Sequence, residues 1–444
     1  MTKDEAKRRV CETIDARRQE IIDIGEAIMA QPELGYKEFK TAALVQKVFG
    51  GMGLSYRKDV AITGVIASLP GRAAEARVAV IGELDSVLCP GHPQADPITG
   101  AAHSCGHNAQ IASMLGVGMG LLYSGVNKEL DGEVRLIGVP AEEPVEIEYR
   151  LKLMREGKTR FLGGKQELIA LGEFDGVDAA MMCHLGTQRE DGKKVSVGGT
   201  SNGFVAKFIR YVGKEAHAGG APHAGINALN AAMLGLMGIH ANRETFKDED
   251  HIRVHPIMTR GGDLVNIIPA DARIETYVRG SNMPAIADAS KKVNRALEAG
   301  AYAVGAKCEI TEVPGFLPLF HNGDLQAVFK ANAEALVGAD MVHEGTRHGS
   351  GSSDMGDVAH VIPALHPHIS AAAGRGHSED YKIVDPELAY ITPAKAMAMT
   401  VVDLLWDGAA LAKSIRAAYQ PKYDRAGYLA MWDEVTGKAG KNQA

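Results

Sequence analysis

The chain is poor in aromatic residues, which make up 5% of its 444 positions, and it has no excess of basic ones: the formal charge is −7. A nucleic-acid partner needs a cationic face with stacking platforms, so none is expected. Cysteine is scarce as well. Cys11, Cys89, Cys105, Cys183 and Cys308 are scattered and odd in number, which excludes a dense disulfide framework and fits reduced thiols. No run reaches the roughly 18 apolar residues that span a membrane, and the N-terminus, MTKDEAKRRVCETID, lacks the apolar core of a secretory signal. These absences lead to the expectation of a cytoplasmic protein with no membrane partner.

What is present is globular: 45% hydrophobic and 23% charged residues, over a length sufficient for two cores. Val10, Ile14, Ile21, Ile24 and Ile28 fall near helical spacing, and Pro32 ends that pattern. Short apolar runs at Val78 to Ile81, Val134 to Val139 and Ala179 to Cys183 read as strands, with a helical run from Ile111 to Tyr123 after the first of them. Strands alternating with helices predict an α/β fold, a largely parallel sheet with helices on both faces. Reactive residues in such sheets gather after the carboxyl ends of the strands. From about Thr200 the order becomes strand (204–212), helix (225–240), strand (252–260), strand (273–278), helix (285–304), strand from Lys307. That is a ferredoxin-like unit of roughly 110 residues. The predicted division is a catalytic domain of residues 1–199 and 314–444, with 200–313 inserted. The basic stretch from Pro144 to Lys165 reads as a solvated helix, with substrate contact as the alternative.

Three polar clusters fall where the sheet would place a site. In HSCGHN, Cys105 and His107 are two apart and can share an ion, thiolate and imidazole both suiting zinc. A lone pair of this kind reads more simply as a buried cysteine beside a capping histidine. Glu142 and Glu143 leave a buried strand side by side and would repel unless a cation holds one of them. One could then bind the ion while the other reaches the attacking water; an isolated pair could equally be a solvated acidic loop. His184 ends the third apolar run, and His377 lies in GRGHS. Taken together, one cysteine, three histidines and a glutamate are about the number a two-metal centre requires.

The motifs PELGYKEFKTA (32–42), GELD (82–85), HSCGHN (103–108), PAEE (140–143), CHLG (183–186), KEAHAGGAPHAGINAL (214–229), NIIPA (266–270) and GRGHSED (374–380) run through nearly the whole chain. In this it resembles the metal-dependent amidohydrolase and peptidase family of aminoacylases, carboxypeptidase G, auxin-conjugate hydrolases and aminobenzoyl-glutamate hydrolases. Asn108 and Glu83 look closest to the aminobenzoyl-glutamate and beta-alanyl-lysine branch. The auxin-conjugate branch has an aspartate and a second histidine where this chain has Asn108 and Gln110.

The resemblance implies one or two divalent ions, zinc or manganese, per subunit. Cys105 would bridge them, with His107 and His184 on one and Glu143 and His377 on the other. Glu142 would be the general base, and Asp85 would orient a ligand. The inserted domain would act as a lid and as the surface of a homodimer, bringing His217 to the partner's site as an oxyanion stabiliser with His223 nearby. Asn266, Arg279 and Ser352 would contact the substrate; a planar guanidinium suits a carboxylate. The function expected is hydrolysis of a C–N bond in a small carboxylate-bearing substrate, such as an N-acyl or N-aroyl amino acid. The alternatives are hydrolytic deamination of an aromatic amine and an inactive binding protein on the same fold.

Overall fold

The structure is a computed structural model, and it describes residues 1–437. Two compact units divide the chain. The larger comprises Met1–Gly199, Phe320–Arg347 and Asp357–Arg425; the smaller comprises Thr200–Leu319, His348–Gly356 and the described residues from 426 onward. The sequence boundary at 313/314 thus falls a few residues early, because the chain past Pro314 keeps bonding within the smaller unit. Phe204 N–H donates to the Phe316 carbonyl at 2.8 Å, and Ser201 bridges Leu319.

In the larger unit a six-stranded sheet runs in the order Ser55–Val60, Gly64–Pro70, Gly132–Val139, Ala76–Glu83, Ala179–Met181, Ala364–Leu365. The last four strands are mutually parallel, and the first two form an antiparallel edge. The expected mostly parallel sheet is therefore present, with its site-bearing strands at its centre. Helix His107–Tyr123 packs on strand Ala76–Glu83 and against helices Lys3–Ala16, Arg18–Met29 and Thr392–Leu405. Being surrounded, it is apolar on nearly all sides rather than along one stripe, as a core helix must be. The N-terminal helix is broken at Arg17, whose φ of −107° and ψ of 13° leave the α region. Thr2 caps its start by accepting from Glu5 N–H at 3.2 Å. The helical stretch Glu387–Leu405 is long and apolar enough to cross a membrane by length and composition alone, but 89% of its most apolar window is buried inside the fold, as in a core helix. A second sheet, not anticipated, contains His184–Thr187 parallel to His368–Ala373.

The smaller unit has four antiparallel strand positions in the order Arg253–Val254 with Ile257–Arg260, Asp271–Gly280, Gly203–Val212, Lys307–Pro314. Helices Ala228–Ala241 and Met283–Val304 pack together beside this sheet. This is the ferredoxin-like arrangement the element order predicts.

Candidate metal centre and active site

Four neighbouring loops build the site from the carboxyl ends of the parallel strands. Glu83 ends its strand opposite Val139, and Asp85 follows two residues later. Beyond Val139 the chain turns at Ala141, whose φ of +54° is unusual for a residue with a side chain. That turn aims Glu142 and Glu143 out of the sheet. His184 opens the strand that follows Ala179–Met181. Gly106 sits at φ +86°, and a Cβ there would lie 2.6 Å from Leu185 Cβ and 2.7 Å from Tyr381 Oη. Only glycine fits both the backbone and the space, and the turn it allows places Cys105 and His107 together.

The structure brings all five sequence-predicted metal ligands into two triads that share one atom. Cys105 Sγ, His107 and His184 donor atoms lie within 4.8 Å of one another, and so do those of Cys105, Glu143 and His377. Cys105 Sγ is 3.5 Å from His184 Nε2 and 3.3 Å from His377 Nε2, which is 2.9 Å from Glu143 Oε1. Ligands roughly 2.0–2.3 Å from a zinc ion stand about 3–3.7 Å from each other. The observed spacings are those of atoms able to grip common ions. His107 Nε2 is buried, lies 3.0 Å from Glu83 Oε2 and makes no well-aligned hydrogen bond. The ring is held from its other side, Nδ1 lying 3.0 Å from the Asp85 carbonyl and 3.2 Å from its carboxylate. His184 is anchored likewise, with Nδ1 2.9 Å from the Leu185 carbonyl. Fixing one ring nitrogen turns the other toward the site.

Three buried side chains hold the glutamate loop by its backbone. Asp85 Oδ2 accepts from Glu143 N–H at 2.9 Å, so Asp85 touches both a histidine and the loop. Glu38 accepts from Ala141 N–H at 2.7 Å. Arg150 is fully buried and donates to the carbonyls of Ala141 at 3.0 Å, Leu162 at 2.7 Å and Glu143. Reading 144–165 as a solvated helix is thereby corrected. Arg150 and Lys165 both have no exposure, because the excursion folds back under the loop it follows. Lys165 Nζ sits 2.5 Å from Glu83 Oε1.

The electrostatics suit cation binding. Burial alone would raise the Cys105 thiol, but His184 and then His107 bring it down to about 6. Hydrogen bonds to Cys105 and Glu143 push His377 up to about 10. Burial works against the Glu143 anion, yet His377 holds its carboxyl below the ordinary value. Glu83 is likewise opposed by burial and is drawn down to about 2, chiefly by Lys165. Glu38 goes the other way: burial, then the charge of Asp85, raise it to about 7. Glu142 is 7% exposed, and one of its oxygens lies within 4.8 Å of donor atoms on His107 and Glu83.

The remaining predicted residues belong to the smaller unit. His217 Nδ1 accepts from the N–H groups of Gly219 and Gly220 at 3.1 and 2.8 Å, which leaves Nε2 to carry the proton. Asn266 lies beside it, its carbonyl accepting from Ala218 N–H at 2.9 Å. His223 is exposed in a short 3₁₀ turn, Pro222–Ala224. Arg279 donates to Ser352 Oγ at 2.9 Å and lies over the rings of Phe204 and Tyr277. The structure thus unites Arg279 with Ser352 across 73 residues of chain. Sequence reasoning missed Glu38, Arg150 and Lys165 as parts of the site. It also missed His366 and His368, whose rings lie 5.5 and 5.3 Å from that of His184. Glu38 did carry a signal, standing inside the PELGYKEFKTA motif.

Comparison with known proteins agrees with this geometry. The chain is 27% identical over 445 residues to a Xaa-Arg dipeptidase of Mus musculus, covering 94% of this chain and 92% of that one. It is 27% identical over 284 residues to an N-acyl-L-amino acid amidohydrolase of Geobacillus stearothermophilus, covering 63% and 70%. A solved Bacillus subtilis structure, described as a dinuclear metal-binding peptidase of the M20 family, superposes with a TM-score of 0.64 at 22% identity, over 88% of this chain and 99% of that one. The sequence model described as peptidase family M20/M25/M40 matches residues 79–400. The chain belongs to that family, and it is a metal-dependent hydrolase of C–N bonds.

Proposed function

We propose that the protein cleaves the amide bond of a small carboxylate-bearing substrate, an N-acyl or N-aroyl amino acid or a dipeptide, with Glu142 as general base. The observation that carries the reading is the pair of donor triads sharing Cys105 Sγ beside Glu142. Cys105 would bridge two ions, with His107 and His184 completing one site and Glu143 and His377 the other; zinc and manganese both suit these donors. When bound, such ions supply Lewis acidity to water and to the scissile carbonyl. Glu142, buried among anions, takes the proton of the attacking water and passes it to the leaving amine nitrogen. Asp85 keeps His107 and the Glu143 backbone in place. His217, with its proton on Nε2, is a donor suited to a developing oxyanion. Arg279, paired with Ser352, retains donors for a substrate carboxylate.

The two relatives named above support this substrate class, since a dipeptide and an N-acyl amino acid both offer an amide next to a carboxylate. Exposed Met233, Leu234 and Met237 on helix Ala228–Ala241, with Ile257 on an edge strand, support a homodimer formed through the smaller unit. All five cysteines are free, in keeping with a reducing compartment such as the cytoplasm.

The test is a panel of N-acyl amino acids, dipeptides including those ending in arginine or lysine, and aminobenzoates, with defined metals. Turnover of an amide with Glu142→Gln slowed by roughly 10²–10⁴, at unchanged metal content, is the expected result. Undiminished turnover by that variant removes Glu142 from the chemistry. Release of ammonia from aryl amines, with no amide cleaved, would favour deamination instead.

A further inference from the structure

A cavity of about 280 Å³ in the larger unit lies at the amino ends of the parallel strands, away from the metal donors that follow their carboxyl ends. Asp175 and Gly176, on its wall, precede strand Ala179–Met181, and Ile362 precedes its parallel neighbour Ala364–Leu365. Ile169, Phe174 and Ile362 are buried, so this part of the wall is apolar and fixed. Tyr423 adds a ring stacked on that of His360, at 6.1 Å and 15°, and the N–H groups of Lys422 and Tyr423 both donate to the His360 carbonyl. The unmatched polar group is a cation. Arg416, on helix Ala410–Ala418, lines the cavity with a guanidinium whose Nη1 is buried and makes no hydrogen bond. Of the two carboxylates in the lining, Asp175 is paired with Arg425 at 3.2 Å and Asp424 belongs to an exposed residue.

A buried charged donor without a partner costs free energy, and folded proteins leave few of them. Arg150, in the same unit, shows the contrast: its guanidinium donates to three carbonyls. We propose that the cavity binds a small monocarboxylate with an aryl or alkyl body, its carboxylate on Arg416 and its apolar part against Ile169, Phe174, Ile362 and Tyr423. A planar guanidinium matches a carboxylate in shape as well as charge. The apolar walls disfavour a bare inorganic anion, which would give up its water and gain nothing from them. The volume, just under the roughly 300–1,000 Å³ of common ligand pockets, sets the size at a small organic acid. Hydrolysis of an N-acyl or N-aroyl amino acid releases an acid of this class, although the binding itself does not rest on that activity.

The experiment is fluorine NMR titration of 4-fluorobenzoate into the full-length protein, with and without a metal chelator, as wild type, Arg416→Gln, Arg416→Lys, Ile362→Trp and Arg279→Gln. Wild type should bind one equivalent that survives chelation. Its affinity should fall about 10-fold or more in Arg416→Gln, as for the loss of a charged hydrogen bond, and be kept in part by Arg416→Lys. Ile362→Trp, which fills the cavity, should abolish it. Arg279→Gln should leave it unchanged, which separates this site from a carboxylate held by Arg279. 4-Fluorobenzamide, with the ring but no charge, should bind about 10-fold more weakly or worse. Hexanoate should displace the probe, whereas acetate and inorganic phosphate at the same concentration should not. Arg416→Gln should match or exceed the thermal midpoint of unliganded wild type, because it removes an unpartnered donor, and the probe should raise the midpoint of wild type but not of that variant. Equal affinity in Arg416→Gln, displacement by phosphate, loss of binding on chelation or no binding at millimolar concentration would overturn the proposal. So would a lower unliganded midpoint in Arg416→Gln, which would show that the guanidinium already serves the fold.

Discussion

Arg150 offers the sharpest perturbation, because its guanidinium donates to the carbonyls of Ala141 and Glu143, on either side of Glu142, as well as to that of Leu162. Arg150→Met keeps an apolar stem of similar reach and removes only the guanidinium. The carbonyls of Ala141, Leu162 and Glu143 then lose a charged donor. A hydrogen bond to a charged group is worth about 1.5–3 kcal/mol, so three at the low end come to roughly 4–5 kcal/mol. Against a typical total of about 5–15 kcal/mol, the variant should fold but be marginal. The site should suffer beyond the stability loss. Two of the three carbonyls flank Glu142, at a turn already strained at Ala141, and displacement of a catalytic group by about 1 Å can cost roughly 10²-fold in rate. Urea denaturation followed by circular dichroism gives the first quantity, and kcat measured well below the unfolding midpoint gives the second. A lower midpoint with a disproportionately lower kcat is expected, and Arg150→Lys should recover only part of each. Wild-type midpoint and turnover in Arg150→Met would refute the claim that the excursion braces the site.

Other outcomes follow from the same contacts. Gly106→Ala should lower both stability and metal content, since its Cβ meets Leu185 and Tyr381 and a side chain at φ +86° costs about 1–3 kcal/mol; unchanged metal content by mass spectrometry would contradict this. Glu38 should make stability depend on pH. Its pKa rises from 4.5 unfolded to about 7 folded, so the folded state holds the extra proton between those values, and stability is lost as pH rises through that window. Glu38→Gln should flatten the slope there by up to ~1.4 kcal/mol per pH unit; identical slopes would place the proton elsewhere. Chelation should lower the thermal midpoint and readdition of zinc or manganese should restore it, by about 2.7 kcal/mol at a free ion concentration 100 times Kd; a midpoint indifferent to chelator would argue against ions held by the folded protein.

The parts of this protein that could be read from sequence are those where chemistry and chain position coincide. The parallel strands announced themselves as apolar runs, and Cys105, His107, Glu143, His184 and His377 stood out as candidate ligands, whose donor atoms the structure gathers into two groups. The ferredoxin-like unit was legible from element order alone. What stayed hidden were interactions between a charge and something far away in sequence. Arg150 and Lys165 look like ordinary surface cations in a basic stretch, and nothing local says that one will cap three carbonyls and the other meet Glu83, 82 residues earlier. The second sheet was missed for a related reason. Its strand His184–Thr187 is short and half-exposed, and its pairing to His368–Ala373 is a long-range event that periodicity does not encode.

The charges around Cys105 connect these observations. Glu83, Asp85, Glu142 and Glu143 are each at most 7% exposed, and the Cys105 thiol is drawn toward thiolate. Two buried cations face this group, and their positions are already committed: Lys165 to one oxygen of Glu83, Arg150 to backbone carbonyls. Buried anions persist only with compensating charge. Without ions that compensation falls to the histidines, which is why the pKa values of His184 and His377 are raised. Protons and metal ions therefore compete for the same donors. Ion binding must expel protons from imidazole, and affinity must weaken as pH falls. The buried anions that would destabilise an empty pocket are what give the loaded one its grip.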